Sequence, residues 1–320
     1  MSKFDIKTFV GRSSWIWPLA GTLALWLGMG AVRSSLNFEF LSANCVSACF
    51  LAIAAMAQML VITSGTGGGA IDLSIPSVIT LSAFVATETI NGSNANIPQA
   101  VALVFALGAI IGLCNGLSVV YLKIPPIIAT MAVGNIVTTG YLLYNEHFTA
   151  FHIAPLLLVL TRSHLLGIPF IVYFLAIIGL FMAFLLSRIT FGQSLLAVGQ
   201  SHRAANLAGI GTSRILIVTY ALSGALSGLA GILISARAGG AFLDMGSPYL
   251  MQTIGAVVLG GTLMFGGKAT TLGTVFGSLF LVLLITTMQA AGLSLGMQRI
   301  FEGVIIIAVL ALASGRRVED

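Results

Sequence analysis

The chain has 320 residues, of which 58% are hydrophobic and only 7% are charged, and its mean hydropathy is +1.07. Because soluble domains contain roughly 25% charged residues, this composition excludes an ordinary soluble domain and indicates a membrane protein. The formal net charge is +5, but the 14 lysines and arginines are scattered along the chain, which argues against a nucleic-acid-binding surface.

Apolar runs follow one another along the whole chain, and most are long enough to cross a bilayer as helices. The basic N-terminus before the first run has the pattern of a signal peptide, but the run is long and others follow, so we predict an uncleaved first helix. We predict one transmembrane domain, residues 1–320, that is all-α and polytopic, with a cytoplasmic tail over 1–14. Its roughly ten spans lie near residues 15–32, 42–62, 70–88, 98–120, 126–144, 167–187, 214–235, 250–265, 271–290 and 297–314.

The distribution of basic residues predicts that both termini are cytoplasmic. With that orientation most lysines and arginines lie inside, and the outer segments contain only Arg33, Arg162, Arg237 and Arg299. The longest outer segment, residues 145–167, contains APLLLVLT, which is too short to span and predicts a lid or an interfacial turn.

A glycine-rich stretch, ITSGTGGGAIDLSIPS (62–77), separates two predicted spans with almost no hydrophilic linker. Gly67, Gly68, Gly69 and Pro76 predict a discontinuous helix, the type of element that lines transport paths. Asp72 lies within it, where an unpaired carboxylate is costly. Three interpretations stay open for Asp72: a cap or gate element at the start of the next helix, a solvated residue at the cytoplasmic mouth, or direct contact with solute.

A second glycine-rich stretch, GGTLMFGGKATT (260–271), has the superficial form of a phosphate-binding loop. It fails the Walker A spacing, because the first glycine would be Thr262 and the hydroxyl position after the lysine is Ala269. GGGAIDLS (67–74) resembles GGKATTLG (266–273), which suggests an internal repeat. Gly266 and Gly267 are therefore predicted to form a second broken-helix turn, paired with the first.

The longest cytoplasmic loop, residues 188–214, contains an alanine-rich segment that ends in glycines. This pattern predicts a short helix over 201–211 with Ser201 as its N-cap. Such a helix either lies on the membrane surface or docks on a partner. We favour docking because a loop with ordered structure usually has a function. The predicted docking residues are Ser201, His202, Arg203, Ala204, Ala205, Asn206 and Gly209.

Polar side chains within the spans are few and mostly neutral. Neutral amides suit an uncharged polyhydroxylated solute better than an ion, and proton coupling would require more intramembrane carboxylates or histidines. The three cysteines, Cys45, Cys49 and Cys114, lie in apolar runs and are interpreted as packing thiols. We predict no catalytic residues, metal or cofactor, and a translocation path or gate that includes Gln58, Asp72, Asn115, Asn135 and Gln252.

Glycines recur at every third or fourth position in several spans, which predicts close helix packing in a tight bundle. One set lies in the fourth span, a second in the seventh and a third in the ninth: Gly108, Gly112 and Gly116; Gly224, Gly228 and Gly231; Gly273 and Gly277.

Three stretches, GAIDLSIPS, TFGQSLLAVGQSHRAANLAGI and LGGTLMFGGKATTLGTVFGSL, resemble in order the motifs of permease subunits of bacterial ABC importers for monosaccharides, the ribose-type branched family. The resemblance covers residues 40 to 313. It implies an inner-membrane permease that works as a dimer beneath a periplasmic sugar-binding protein. It also implies that the loop 188–214 carries a coupling helix for a separate ATP-binding cassette subunit.

The chain departs from the family pattern at five positions: Pro76, Arg203, Asn206, Leu263 and Ala269. Changed charge on the coupling helix would alter the surface on which it fits, so we favour a heterodimer of two unlike permeases over a homodimer. Two other functions stay open: an ion- or proton-coupled secondary transporter, and a non-transporting scaffold or receptor component.

Overall fold

The computed structural model describes residues 15–33, 38–65, 69–146 and 152–315, and the predicted tail 1–14 lies outside these residues. The described chain is almost entirely helical, which agrees with the predicted fold class. Its helices in chain order are α1 (Ile16–Arg33), α2 (Phe38–Thr63), α3 (Ile75–Ile90), α4 (Ile97–Val120), α5 (Pro126–Asn145), α6 (Pro155–Arg162), α7 (Phe170–Arg188), α8 (Thr190–Gln200), α9 (His202–Leu207), α10 (Thr212–Ala238), α11 (Tyr249–Leu259), α12 (Thr271–Ala290) and α13 (Leu295–Gly315).

Six helices of the described chain are long and apolar enough to cross a membrane, namely α2, α4, α5, α7, α10 and α12. Three shorter apolar helices accompany them: residues Ile16–Gly28 of α1, α3 and α11. The polytopic architecture is thus confirmed, whereas a total of ten spans stays a prediction. Two predicted spans were too long at the glycine-rich stretches, because 70–74 and 260–265 are not helical.

Helix α2 forms the centre of the bundle. Of its most apolar stretch, 89% is buried inside the protein, compared with 28% for α5 and for α7. It packs against α10, α11 and α12, and its buried residues belong to the main hydrophobic core. Helices α5 and α7 therefore present most of their surface outward, to lipid or to a partner.

The glycine patterns mark real contacts between helix backbones. A Cβ atom on Gly112 of α4 would meet the Tyr220 carbonyl of α10, and one on Gly224 would meet the Gly108 carbonyl. Between α11 and α12, a Cβ on Gly277 would likewise meet the Ala256 carbonyl. The predicted close packing is confirmed, and the structure adds which helices are partners.

Loops predicted on the same side of the membrane lie together at the same end of the bundle. At one end, the Asn94 side chain accepts a hydrogen bond from Leu156 N (2.9 Å), and Arg162 donates to the Arg237 carbonyl (3.2 Å). At the other end, Gly267 N donates to the Thr63 carbonyl (3.0 Å). These contacts join loops that were predicted on the same side, but they do not say which end is cytoplasmic, so the predicted topology stays a prediction.

Several local features differ from the sequence predictions. APLLLVLT forms the short helix α6, and a two-residue antiparallel ladder follows it, His164–Leu165 with Ile168–Pro169, which is a local addition to the all-α fold. The loop 188–214 contains α8 in addition to the predicted short helix. Cys114 is exposed, so only Cys49 is a fully buried packing thiol.

Candidate functional site

The first glycine-rich stretch interrupts the chain between α2 and α3, as predicted. Helix α2 ends at Thr63, and α3 begins at Ile75 with Pro76 in its first turn, where proline lacks no helical hydrogen bond. Gly69 adopts a φ of +141°, which a residue with a side chain rarely adopts. Gly67 and Gly68, assigned to the same turn, lie outside the described residues.

The carboxylate of Asp72 is buried in this turn, with 3% of the residue exposed. One oxygen accepts hydrogen bonds from Ser74 N (2.9 Å) and Ser74 Oγ (2.6 Å), and the other accepts from Ser223 Oγ of α10 (3.2 Å). The N-cap of α3 is Ser74, so Asp72 does not cap the helix itself. Instead it forms an Asx turn that fixes the backbone before the helix begins.

Gln58 of α2 holds the main chain of Asp72. Oriented with its nitrogen towards the Asp72 carbonyl, the Gln58 amide donates to that oxygen (3.1 Å) and accepts from Asp72 N (3.2 Å). This two-point pairing satisfies a buried backbone segment that has no helical partners. The polar side chain in the centre of α2 therefore has a specific structural partner across the turn.

Asn115 of α4 completes the cluster by donating to Ser74 Oγ (2.8 Å). Its carbonyl oxygen Oδ1 has no hydrogen-bond partner within the described chain, and neither has the hydroxyl of buried Tyr220 on α10. Since nearly all buried polar atoms are paired in folded proteins, these two unpaired atoms are exceptions on α4 and α10, the two helices that contact the Asp72 cluster.

The second glycine-rich stretch forms a tight turn between α11 and α12. Leu263 N donates to the Lys268 carbonyl (3.1 Å), and Thr270 Oγ1 donates to the Gly260 carbonyl (2.6 Å). Gly266 and Gly267 have φ values of +90° and +78°, which accounts for the glycine pair. The two glycines thus lie in a turn that the Lys268 carbonyl closes, and their role as a broken-helix turn in transport stays a prediction.

The two glycine-rich turns contact each other, as the sequence similarity between them suggested. A Cβ on Gly266 would meet Gly65 Cα at 2.5 Å and the Thr63 carbonyl at 2.9 Å. Gly199, at the end of α8, lies between them, since a Cβ there would meet the Thr63 carbonyl and Gly267 N. Only glycine allows three backbones to approach this closely.

Helix α9 is the short helix predicted in the loop 188–214. Ser201 is its N-cap and accepts a hydrogen bond from Ala204 N (3.2 Å), as predicted. Ala205 is buried against Val198 and Leu216, so it anchors α9 and is not part of the exposed face. The exposed residues of the segment 201–211 are Ser201, Arg203, Ala204, Asn206, Leu207, Ala208, Gly209 and Gly211.

Leu207 was missed as a docking candidate, although it is 83% exposed at the end of α9. A large apolar side chain on a polar end of the molecule is typical of a contact with another protein. The available sequence signal was that Leu207 is the one large apolar residue in the polar and alanine-rich stretch HRAANL. Gly209 follows with a φ of +82° and ends the segment.

The other two predicted path residues lie away from the Asp72 cluster. Asn135 is exposed at the middle of α5. Gln252 of α11 lines a cavity of 310 Å³ together with Tyr249 and Arg237. The structure thus brings together Gln58, Asp72 and Asn115, adds Ser74 and Ser223 to them, and separates Asn135 and Gln252.

Comparison with known proteins finds relatives that are all described as transport permeases. A family model described as branched-chain amino acid transport system / permease component matches residues 40–310. The ribose import permease protein RbsC of Escherichia coli (strain K12) is 32% identical over 324 residues, which cover 94% of this chain and 96% of the relative.

Permeases of a second kind of import system are also similar. The autoinducer 2 import system permease protein LsrC of Shigella flexneri is 30% identical, with 87% of this chain and 80% of the relative covered. The corresponding LsrD of Salmonella typhi is 29% identical, with 82% and 80% covered. No solved structure matches the chain. The chain therefore belongs to the family of permease components of branched-chain amino acid transport systems and groups with its ribose-type ABC importer permeases.

Proposed function

We propose that this chain is the membrane permease subunit of an ATP-driven bacterial importer for a monosaccharide or a similar small polyhydroxylated solute. The observation that carries the proposal is the placement of α9. Its outer face is exposed, while His202 at its base lies 3.2 Å from the Ser64 carbonyl of the first glycine-rich turn, and the end of the preceding helix α8 contacts both turns. A partner that moves α9 would therefore act directly on the first turn and, through α8, on the second.

The proposal assigns ATP hydrolysis to a separate ATP-binding cassette subunit docked on α9. Solute delivery falls to a periplasmic binding protein at the opposite end, near Arg162 and Arg237. Both termini are cytoplasmic in this arrangement, in agreement with the excess of basic residues in the inner segments. The membrane-spanning helices and the import permeases among the relatives support a multi-pass inner-membrane protein. We propose that it uses no cofactor of its own.

We propose a second permease subunit, because α5 exposes a polar side chain in the middle of a membrane span. The Asn135 amide has no hydrogen-bond partner within the described chain, and an unpaired amide is costly in hydrocarbon. A second subunit that packs near α5 would remove Asn135 from lipid and place it beside a path between the subunits. The altered charges on α9 favour an unlike partner.

Differently tagged copies of this chain, expressed with its candidate partner permease, distinguish the two assemblies. Recovery of the two unlike permeases together, without co-purification of the two tags, supports the heterodimer. Recovery of homodimeric complexes alone contradicts it.

The surface of α9 provides the direct test of docking. Leu207→Asp places a charge on the exposed face without touching the core, so we expect an intact permease that no longer co-purifies with the ATP-binding cassette subunit. Leu166→Asp is the matched control, since Leu166 is 91% exposed at the opposite end. Ala205→Asp is a poorer test, because it would disrupt the packing of α9 itself. Normal ATPase recovery with Leu207→Asp contradicts the docking surface.

A secondary transporter driven by ions or protons is the alternative, and energy supply separates the two functions. Vesicles containing the ATP-binding cassette subunit, MgATP and the loaded binding protein, with no ion gradient, should accumulate solute. Uptake that needs a gradient and ignores ATP contradicts the importer.

A further inference from the structure

His202 connects the exposed docking helix to the end of the central helix. Its ring nitrogen Nε2 lies 3.2 Å from the backbone carbonyl oxygen of Ser64, which is separated from it by 138 residues in sequence. A carbonyl oxygen only accepts, so the hydrogen bond requires the proton on Nε2. His202 is the first residue of α9, and Ser64 is the first residue after α2.

Ser64 is joined rigidly to α2. Its backbone N donates to the Val61 carbonyl (3.1 Å), and its hydroxyl donates to the same oxygen (2.7 Å). Gly65 N in turn donates to the Ile62 carbonyl (3.1 Å). A displacement of the Ser64 carbonyl therefore moves the last turn of α2 together with the start of the glycine-rich turn.

The Asp72 cluster lies at the other end of that turn. Gln58, less than two helical turns before Ser64, is hydrogen-bonded to the main chain of Asp72. Asp72 in turn bonds to Ser223 of α10 and shares Ser74 with Asn115 of α4. A hydrogen-bonded route thus runs from the docking helix through α2 to the two helices that carry the unpartnered Asn115 Oδ1 and Tyr220 hydroxyl.

The attachment of α9 to the body of the protein does not depend on His202. Buried Ala205 packs in a cluster with Val198 of α8 and Leu216 of α10, and Ile210 N donates to the Ala205 carbonyl (3.0 Å). This cluster keeps α9 in place when the His202 side chain changes. His202 was predicted to dock on the partner, but it is half-buried and its ring faces the Ser64 carbonyl, away from the exposed face. Loss of its hydrogen bond should therefore weaken transmission to the turn and leave folding and docking intact.

We propose that His202 is a positioning residue that transmits movement of the docking helix to the turn before α3, and thereby to the polar cluster around Asp72. The proposal rests on the proposed function, in that a partner ATPase must move α9. A neutral hydrogen bond changes an equilibrium by about fivefold, and this is the size of the coupling assigned to His202.

The test is hydrogen exchange of the complete importer complex in lipid nanodiscs, without nucleotide and with MgATP plus vanadate. In the unaltered protein, peptides over 201–209 and over 69–74 should both change their exchange rates. In His202→Phe, which keeps a ring but has no donor, the response at 201–209 should stay and the response at 69–74 should fall about fivefold. His202→Gln, whose amide nitrogen replaces Nε2, should restore it.

His164→Ala is the matched control, since this histidine lies at the other end of the bundle with its ring 3.3 Å from Ser42 Oγ. It should leave both responses unchanged. A normal response at 69–74 in His202→Phe overturns the role of His202, as does a loss of ATPase binding in that variant. No response at 201–209 in the unaltered complex overturns the proposed docking instead, so the two failures are distinguishable.

Discussion

Asp72 is a buried acid whose hydrogen bonds hold the backbone of the turn before α3 in place. Both carboxylate oxygens are occupied by groups of the protein, one by Ser74 and the other by Ser223. Of the three interpretations that the sequence left open, this geometry favours a gate element over a solvated loop residue. The same geometry leaves a solute little access to the carboxylate, and Asn115 Oδ1 and the Tyr220 hydroxyl are buried as well, although neither has a hydrogen-bond partner within the described chain.

Two substitutions of Asp72 separate a structural role from direct contact with solute. Asp72→Asn keeps an oxygen that accepts from Ser74, and the Ser223 hydroxyl can accept from the new amide. We therefore expect the free energy of unfolding to fall by about 1 kcal/mol or less. Asp72→Ala leaves buried donors unpaired and should cost roughly 1–3 kcal/mol. Thermal unfolding in detergent measures both. A fully stable Asp72→Asn protein without uptake would instead indicate a solute contact.

Packing between helices α4 and α10 depends on glycines at which the backbones meet. Gly112→Ala and Gly224→Ala each introduce a Cβ that overlaps a carbonyl oxygen of the neighbouring helix, so either change should destabilise the protein by about 1–3 kcal/mol. Gly28→Ala in α1 is the control, because nothing lies within 4 Å of its added Cβ. Equal thermal stability of all three variants would contradict the packing.

The sequence predicted the faces of these helices but not their partners. Glycine spacing identified Gly108 and Gly112 on one face and Gly224 on another, because the helical period fixes which residues share a face. Which two faces meet depends on the whole bundle, and so does the pairing of Gln58 with Asp72. Helix α8 was missed because its sequence, TFGQSLLAVGQ, is short and contains two glycines, which disfavour a helix. In the structure the end of α8 is fixed by contacts of Gly199 with both glycine-rich turns, and these contacts cannot be read from the local sequence.

At the scale of the whole molecule, two pairs of helices, each joined by a glycine-rich turn and here called hairpins, meet at their turns. The hairpin of α2 and α3 and that of α11 and α12 meet through Gly65 and Gly266. Their sequence similarity therefore coincides with a spatial pairing, and duplication of an ancestral hairpin stays a hypothesis. Because α9 contacts the first hairpin and α8 ends against both, we expect a movement at that end to displace both hairpins together.

If the solute path runs between two subunits, two adjacent side chains of helix α5 should lie in different environments. Asn135 would face water in the path, whereas its neighbour Ile136, 71% exposed, would face lipid or apolar side chains. After replacement of Cys45, Cys49 and Cys114 by alanine, Asn135→Cys should react with a membrane-impermeant thiol reagent in the assembled importer. Ile136→Cys is the control and should react at least tenfold more slowly, on the order expected for a thiol removed from water. Equal reactivity at the two positions would contradict a path along α5, since adjacent residues on one helix differ mainly in the direction that their side chains face.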